Sequence, residues 1–384
     1  MDNLKEQRIV ASLTGGEIDR IPVMPKIWVD FSAKVTGTDI REVIENPVTA
    51  LDVIARAGQQ LDFDAVRQFP FPAKKIIKED AKLFEVDNRN KKIGVIDLQG
   101  GLSTLLFESE DYNINDPVMM SYFQFYKPSI PPVRSKQDAE NIAVPDAKIF
   151  DELKWYSNQK EVMDRYPQLC YVADCNSATM SFYVVLRGIE NAMFDLIENP
   201  GLVHAVMEKG AAIAIQRGKY WLDKGFRVLR LNDSTGNLSL ISAGHWREFI
   251  YPHIKDVCDE LHSYNKDALI YCHICGDILD IAEDLVETGL DCIGPLDPLG
   301  GFTVKQIRNR VGSDIALMGG VDTLSLLNKK PQEIKAEAVD CIEQGGENGR
   351  YILSSGCVVP RDCSESNIKA MVDAAKTYLT RKGD

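Results

Sequence analysis

Residues 226–277 read FRVLRLNDSTGNLSLISAGHWREFIYPHIKDVCDELHSYNKDALIYCHICGD. Two short apolar runs, FRVLRLND (226–233) and ALIYCHIC (268–275), flank a stretch with helical spacing. Each run ends in a polar turn. Strand, helix, strand is the unit of a parallel sheet, whose crossovers pack as helices on its face. The same unit recurs along the chain, with further runs at DAVRQF (64–69), LCYVAD (169–174), LDCIGPL (290–296), DIALMGG (314–320) and GRYILSSG (349–356). With IPVMP (21–25) the count reaches eight, the number that a (β/α)8 TIM barrel needs. A doubly wound sheet is the alternative. No GxGxxG follows a first strand, so nothing favours a dinucleotide fold.

Residues 74–150 break this rhythm. KLFEVDNRNKKIGVIDLQGGLSTLLFE alternates apolar and polar residues across DNRN, the pattern of a β-hairpin. The expectation is one α/β barrel domain over residues 1–384 with a β-rich insertion, or cap, at about 74–150. Hydrophobic content of 45% and charged content of 26% are those of a globular protein. A net charge of −13 argues against nucleic-acid binding. The absence of a long apolar run argues against a membrane span. Nine cysteines without a regular framework fit a reducing cytoplasm, where thiols bind metals, catalyse or are simply buried.

The chemistry concentrates in YCHICGD (271–277). Side chains alternate along a strand, so His273 and Cys275 project to one face while Cys272 and Ile274 point away. Both sit where the strand ends, the end at which barrels build active sites. Cys357, in SSGCVVP, holds the corresponding place after the last strand. One imidazole and two thiolates make a three-ligand zinc site with an open fourth position, the catalytic arrangement. Cys363 is a rival third ligand, and a metal-free core of thiols is the alternative to any site. Cys170, Cys175, Cys258, Cys272, Cys292 and Cys341 read as core thiols.

HICGD with SSGC downstream, the opening DRIPVMP, the LDFDAVRQF strand and the ENPGLVHAVMEK helix together resemble the uroporphyrinogen decarboxylase superfamily. The resemblance covers nearly the whole chain outside the insertion and implies a (β/α)8 barrel. H-x-C followed far downstream by Cys is similar to the zinc motif of the cobalamin-dependent methyltransferases of that superfamily. Among them are methylcobamide:coenzyme M methyltransferases and enzymes that demethylate methoxylated or methylated substrates. The decarboxylase branch fits less well. Its arginine-bearing R-Q-A-G-R run has no counterpart in Pro22–Phe31, Pro70 and Phe71 follow Phe69 where its catalytic aspartate would stand, and Ser355 replaces its late histidine.

The resemblance implies a zinc-dependent methyltransferase, with zinc on His273, Cys275 and Cys357. It would move a methyl group between a corrinoid and a small thiol acceptor or methylated donor. No D-x-H-x-x-G run is present, which points to a corrinoid protein as a separate partner. A decarboxylase-like enzyme and a non-catalytic corrinoid-protein-binding module are the alternatives. Asp174, Asn232 and Asp233, at strand ends, are candidates to orient substrate or protonate a leaving group, or are loop caps. Asp277 reads as a ligand's hydrogen-bond partner or a helix cap, and Asp322 as a cap. Tyr183 falls where the decarboxylases place a substrate-contacting tyrosine. His204, His245, His253 and His262 read as helix surface or packing residues.

Overall fold

The computed structural model describes residues 3–98, 102–346 and 349–382. Among the described residues twelve strands follow in chain order. The first, β1 (Ala65–Gln68), leads into β2 (Ile76–Glu79), β3 (Lys82–Val86), β4 (Lys92–Asp97), β5 (Ser103–Leu106) and β6 (Tyr126–Lys127). Then come β7 (Cys170–Asn176), β8 (Val228–Asn232), β9 (Leu269–His273), β10 (Cys292–Leu296), β11 (Ala316–Val321) and β12 (Tyr351–Ser355). β1 and β7–β12 form one parallel sheet in the order β1-β7-β8-β9-β10-β11-β12. Five of its strands lie within the runs expected from the sequence, while β7 and β11 run on past theirs, to Asn176 and Val321.

The eighth expected strand, 21–25, is not a regular strand. It is an extended segment that spans the gap between the sheet's two edges. Met24 donates its N–H to Leu353 of β12 at 2.9 Å, while Asp64, just before β1, donates to the Val23 carbonyl at 2.9 Å. The sheet therefore curls into a TIM-barrel-like form. Asp64 clamps this closure. Its fully buried carboxylate accepts Val23 N–H at 2.8 Å and both terminal nitrogens of Arg20 at 2.8 Å, with Arg8 as a further ion-pair partner.

Two cores result from the strand alternation. Residues facing outward from the sheet pack against the helices in a large apolar shell. Residues facing inward, among them Ala65, Val172, Val228, Leu269, Tyr271, Met318 and Ile352, form a second core inside the curl. Ile9 and Leu13, from the helix Leu4–Thr14, join that inner core and plug the floor beneath it. Asn3 caps the start of this helix by accepting the N–H groups of Lys5 and Glu6, and left-handed Gly15 ends it.

The insertion forms its own five-stranded sheet, β2-β3-β4-β5-β6. The β3–β4 hairpin turns at DNRN, where Asp87 accepts the N–H groups of Arg89 and Lys91 at 2.8 Å each. Of the expected hairpin stretch, residues 99–101 lie outside the described residues. Buried Lys74 fastens this sheet. Its ammonium donates to Thr104 Oγ1 at 2.6 Å and to the carbonyls of Leu102 and Phe125, and it pairs with Glu85 at 3.4 Å. No helix among the described residues is long and apolar enough to cross a membrane.

Candidate metal centre

His273 ends β9 with its side chain fully buried inside the curl. The chain then turns at Gly276, whose φ of +96° and contact with Asn237 leave no room for a Cβ. Cys275, just before the turn, is half-buried. After β12, Gly356 passes so close to Leu296, Asp297 and Pro298 that a Cβ there would lie 2.8–3.0 Å from their atoms. That close approach brings Cys357 to the same place. One ligand atom each from His273, Cys275 and Cys357 lies within 4.8 Å of the other two.

This is a donor set that a zinc-type ion fits. Two sulfurs on one tetrahedral zinc are ~3.8 Å apart, from Zn–S bonds of ~2.3 Å, so the three atoms need to close by only a fraction of the observed spacing. His273 Nδ1 is buried with no hydrogen-bond partner. Burial, and then the neighbouring Lys26, push His273 well below the usual histidine range. The imidazole is therefore neutral, the state in which it ligates metals. The two thiols lie side by side, close enough for each to feel the other's charge. The proximity of Cys275, aided by Lys26, lowers Cys357, while the same proximity and burial push Cys275 up.

The surroundings include residues that sequence reasoning did not single out. Lys26, buried at the end of the gap-spanning segment, places Nζ 2.8 Å from His273 Nε2. Burial, and then repulsion from Arg230, lower it to about 7. Arg67 of β1, Arg230 of β8 and Tyr271 of β9 fill the interior close by, all buried. Asp297 follows β10 at the mouth, where its carboxylate accepts Leu299 N–H at 3.0 Å. The available signal was parity: Tyr271 and His273 share a face of β9, and a lone arginine interrupts each of two apolar strands.

The other expected residues are distributed around this centre. Asp174 is buried and holds Arg230 at 2.5 Å and Arg217 at 3.4 Å. Asn232, half-buried, lies opposite His273 in the sheet register, accepts from Arg230 and donates to Ser177 Oγ at 3.1 Å. Asp233 is buried and accepts Thr179 Oγ1 and Ser181 N–H, both at 2.6 Å, at the start of the helix Met180–Arg187. Burial raises it to about 6. Asp277 accepts Leu279 N–H, Asp322 caps the helix Thr323–Asn328, and Tyr183 donates to Asp195 at 2.8 Å. Cys363 is buried, with its sulfur on the Leu326 carbonyl at 3.0 Å, and is not in the three-ligand cluster.

Residues 118–378 match the model of the family described as uroporphyrinogen decarboxylase (URO-D). The chain belongs to the URO-D family. It is 26% identical over 260 residues to a uroporphyrinogen decarboxylase of Chlorobium phaeovibrioides, covering 64% of this chain and 70% of that one. It is also 26% identical over 226 residues to a methylated-thiol–coenzyme M methyltransferase of Methanosarcina mazei, covering 58% of each chain. This URO-D family member shares its fold with a solved methyltransferase from Methanosarcina mazei. The TM-score is 0.71 at 18% identity, over 98% of this chain and 99% of that one.

Proposed function

We propose that the protein is a methyltransferase that uses zinc on His273, Cys275 and Cys357 to exchange a methyl group between a small substrate and a corrinoid on a separate protein. The convergence of these three donors within 4.8 Å carries the reading. Zinc bound there supplies Lewis acidity to the substrate's heteroatom, holding a thiol as thiolate or polarising a methylated donor. The URO-D relatives include both a decarboxylase and a methyltransferase, and the donor set favours the latter.

The chain's own residues do the rest. Fully buried His273 forms the inner wall of the centre, and the half-buried Cys275 and Cys357 form the side a substrate would approach. Coupling between Cys275 and Cys357, with Lys26 beside them, lowers the cost of the thiolate form that ligation needs. Asp174 holds Arg230, and Arg230 in turn holds the Asn232 amide, so the Asn232 side chain is oriented beside His273. Asn232 is the group we assign to substrate contact. Asp233 orients the loop after β8 through its grip on Thr179 and Ser181, and Asp174 acts through Arg230.

The test is elemental analysis coupled to turnover. One zinc per chain is expected, lost in His273→Ala, Cys275→Ser and Cys357→Ser while the fold survives by circular dichroism. Methylcobalamin should lose its methyl group to a small thiol only with the metal-loaded protein. A metal-free protein that decarboxylates a porphyrinogen would overturn the reading.

A further inference from the structure

Two helices outside the curled sheet bring a second set of metal-ligating side chains together. His204 belongs to the helix Pro200–Asp223, between β7 and β8, and His253 to the helix Tyr251–Tyr264, between β8 and β9. These helices pack directly on one another, so that a Cβ on Gly218 would lie 2.6 Å from the Leu261 side chain. His204 Nδ1 stands 3.4 Å from His253 Nε2. That is long for a hydrogen bond, where a nitrogen donor ordinarily lies ~2.7–3.2 Å from its acceptor. It matches two nitrogens on one tetrahedral zinc, ~3.3–3.4 Å apart for Zn–N bonds of ~2.0–2.1 Å.

A carboxylate accompanies each imidazole. Glu208 follows His204 by four residues and Asp256 follows His253 by three, the two spacings that share a helix face. Both acids are exposed, and neither forms an ion pair with a lysine or arginine among the described residues. Their charges reach His253, whereas no lysine or arginine is among the groups that act on it. Burial, and then the neighbouring His204, hold His253 below the usual histidine range. It is therefore neutral at pH 7, as a ligand must be. Two imidazoles between two unpaired carboxylates form an anionic donor set, built like other metal sites from side chains on facing helices. A hydrogen-bonded pair alone would leave both acids without a role.

We propose that His204 and His253 anchor a second metal site, which takes a divalent zinc-type ion and completes its shell with Glu208 and Asp256. Among the described residues only His273, Cys275 and Cys357 already stand within 4.8 Å of one another as a set of three donors. Here the carboxylates swing in, which their exposure permits. The ion staples two crossover helices and has no part in methyl transfer. Imidazole ligands select zinc, nickel or cobalt over magnesium and calcium, which prefer oxygen alone. With its carboxylates exposed, this site loses its ion on dialysis that the dithiolate centre survives, so the purified protein still carries one zinc.

The experiment titrates Zn2+, Ni2+ and Mg2+ by calorimetry into the Cys275→Ser/Cys357→Ser chain, where the first centre is disabled. The parent carrying its one zinc is titrated in parallel, which keeps the test open if the double variant fails to fold. Zn2+ and Ni2+ should bind both proteins at ~1 equivalent, and Mg2+ should not bind. His204→Ala should abolish this binding, and Glu208→Gln or Asp256→Asn should weaken it at least ~10-fold. His245→Ala, a neighbour of Phe249 outside the pair, should leave it unchanged. At about 100 times the measured Kd, Zn2+ should raise the melting temperature by ~3 °C, the mass-action gain divided by an unfolding entropy of ~2 cal/mol/K per residue over 384 residues. That rise should vanish in His204→Ala. No binding in either protein, equal binding in His204→Ala, or Mg2+ bound as tightly as Zn2+ overturns the site. Because the disabled chain lacks the dithiolate centre, each of these results leaves the methyl-transfer reading untouched.

Discussion

Gly356→Ala tests how Cys357 reaches the metal centre. The added Cβ would lie 2.8 Å from Pro298 Cδ, 2.9 Å from Asp297 Cα and 3.0 Å from the Leu296 carbonyl oxygen. Comfortable carbon contacts begin at ~3.5 Å, so the turn must give by ~0.5–1 Å. Retreat is resisted, because Gly356 N–H is bonded to the Val321 carbonyl at 2.8 Å and Ser355 Oγ to the Cys357 carbonyl at 2.7 Å. Overpacking of this kind costs ~1–3 kcal/mol. For 384 residues an unfolding entropy of ~2 cal/mol/K per residue converts that to a loss of ~1–4 °C in melting temperature. The metal should suffer far more. Zinc sites tolerate ~0.2 Å in ligand distance, so a shift of this size in Cys357 removes a ligand. Zinc retained after dialysis against a weak chelator should fall well below one per chain while the protein stays folded. Gly244→Ala is the control, since its Cβ would meet only Ser242 Oγ, at 3.6 Å. Zinc retention by Gly356→Ala equal to the parent would show that this close approach does not position Cys357.

Asp64→Asn leaves Arg8 and Arg20 at the barrel closure without their buried partner. It should cost ~3–5 kcal/mol in urea unfolding, and a loss under ~1 kcal/mol would reject Asp64 as the clamp. Lys74, lowered to about 8 by burial, binds fewer protons folded than unfolded between pH 8 and its ordinary value of 10.5. Its contribution to stability therefore rises as pH climbs through that window, by ~3 kcal/mol in all. Lys74→Met should flatten that part of the stability–pH curve, and parallel curves would count against the assignment. Asn232→Ala should lower kcat/KM ~10–100-fold with zinc content unchanged. A variant that loses zinc, or keeps full activity, would remove Asn232 from substrate contact.

The strands of the curled sheet were legible because a parallel strand, covered on both faces, must be apolar along its length. FRVLRLND and ALIYCHIC meet that demand, and β8 and β9 lie inside them. The segment 21–25 was read as a full strand. Its apolar residues are all buried, but hydrogen bonds to Leu353 and Asp64 at single points suffice to bridge the gap. His273 and Cys275 stood out because parity places them on one face, and Cys357 because strand ends meet at one rim. Parity says which way a side chain faces and nothing about its neighbours across the sheet. Lys26 beside His273, 247 positions away in the chain, was therefore invisible. Arg67 and Arg230 were passed over as ordinary charges, although each interrupts an apolar strand on its inward face. Asp233 looked like any acid at a strand end. The helix start it holds belongs to a segment 52–54 positions earlier, and only folding brings the two together.

The helix Leu4–Thr14 does more than fill space under the sheet. With Ile9 and Leu13 seated in the floor, apolar side chains close the end of the barrel opposite the metal centre. A small molecule bound at His273 must arrive and depart through the opening that a macromolecular partner would cover. On the methyl-transfer reading proposed above, traffic would become a queue: the small molecule enters first, the large partner docks over it, and the small product leaves only when that partner lifts away. An excess of the large partner should slow turnover by trapping what lies beneath it, a kinetic signature set by the plug at the opposite end of the barrel.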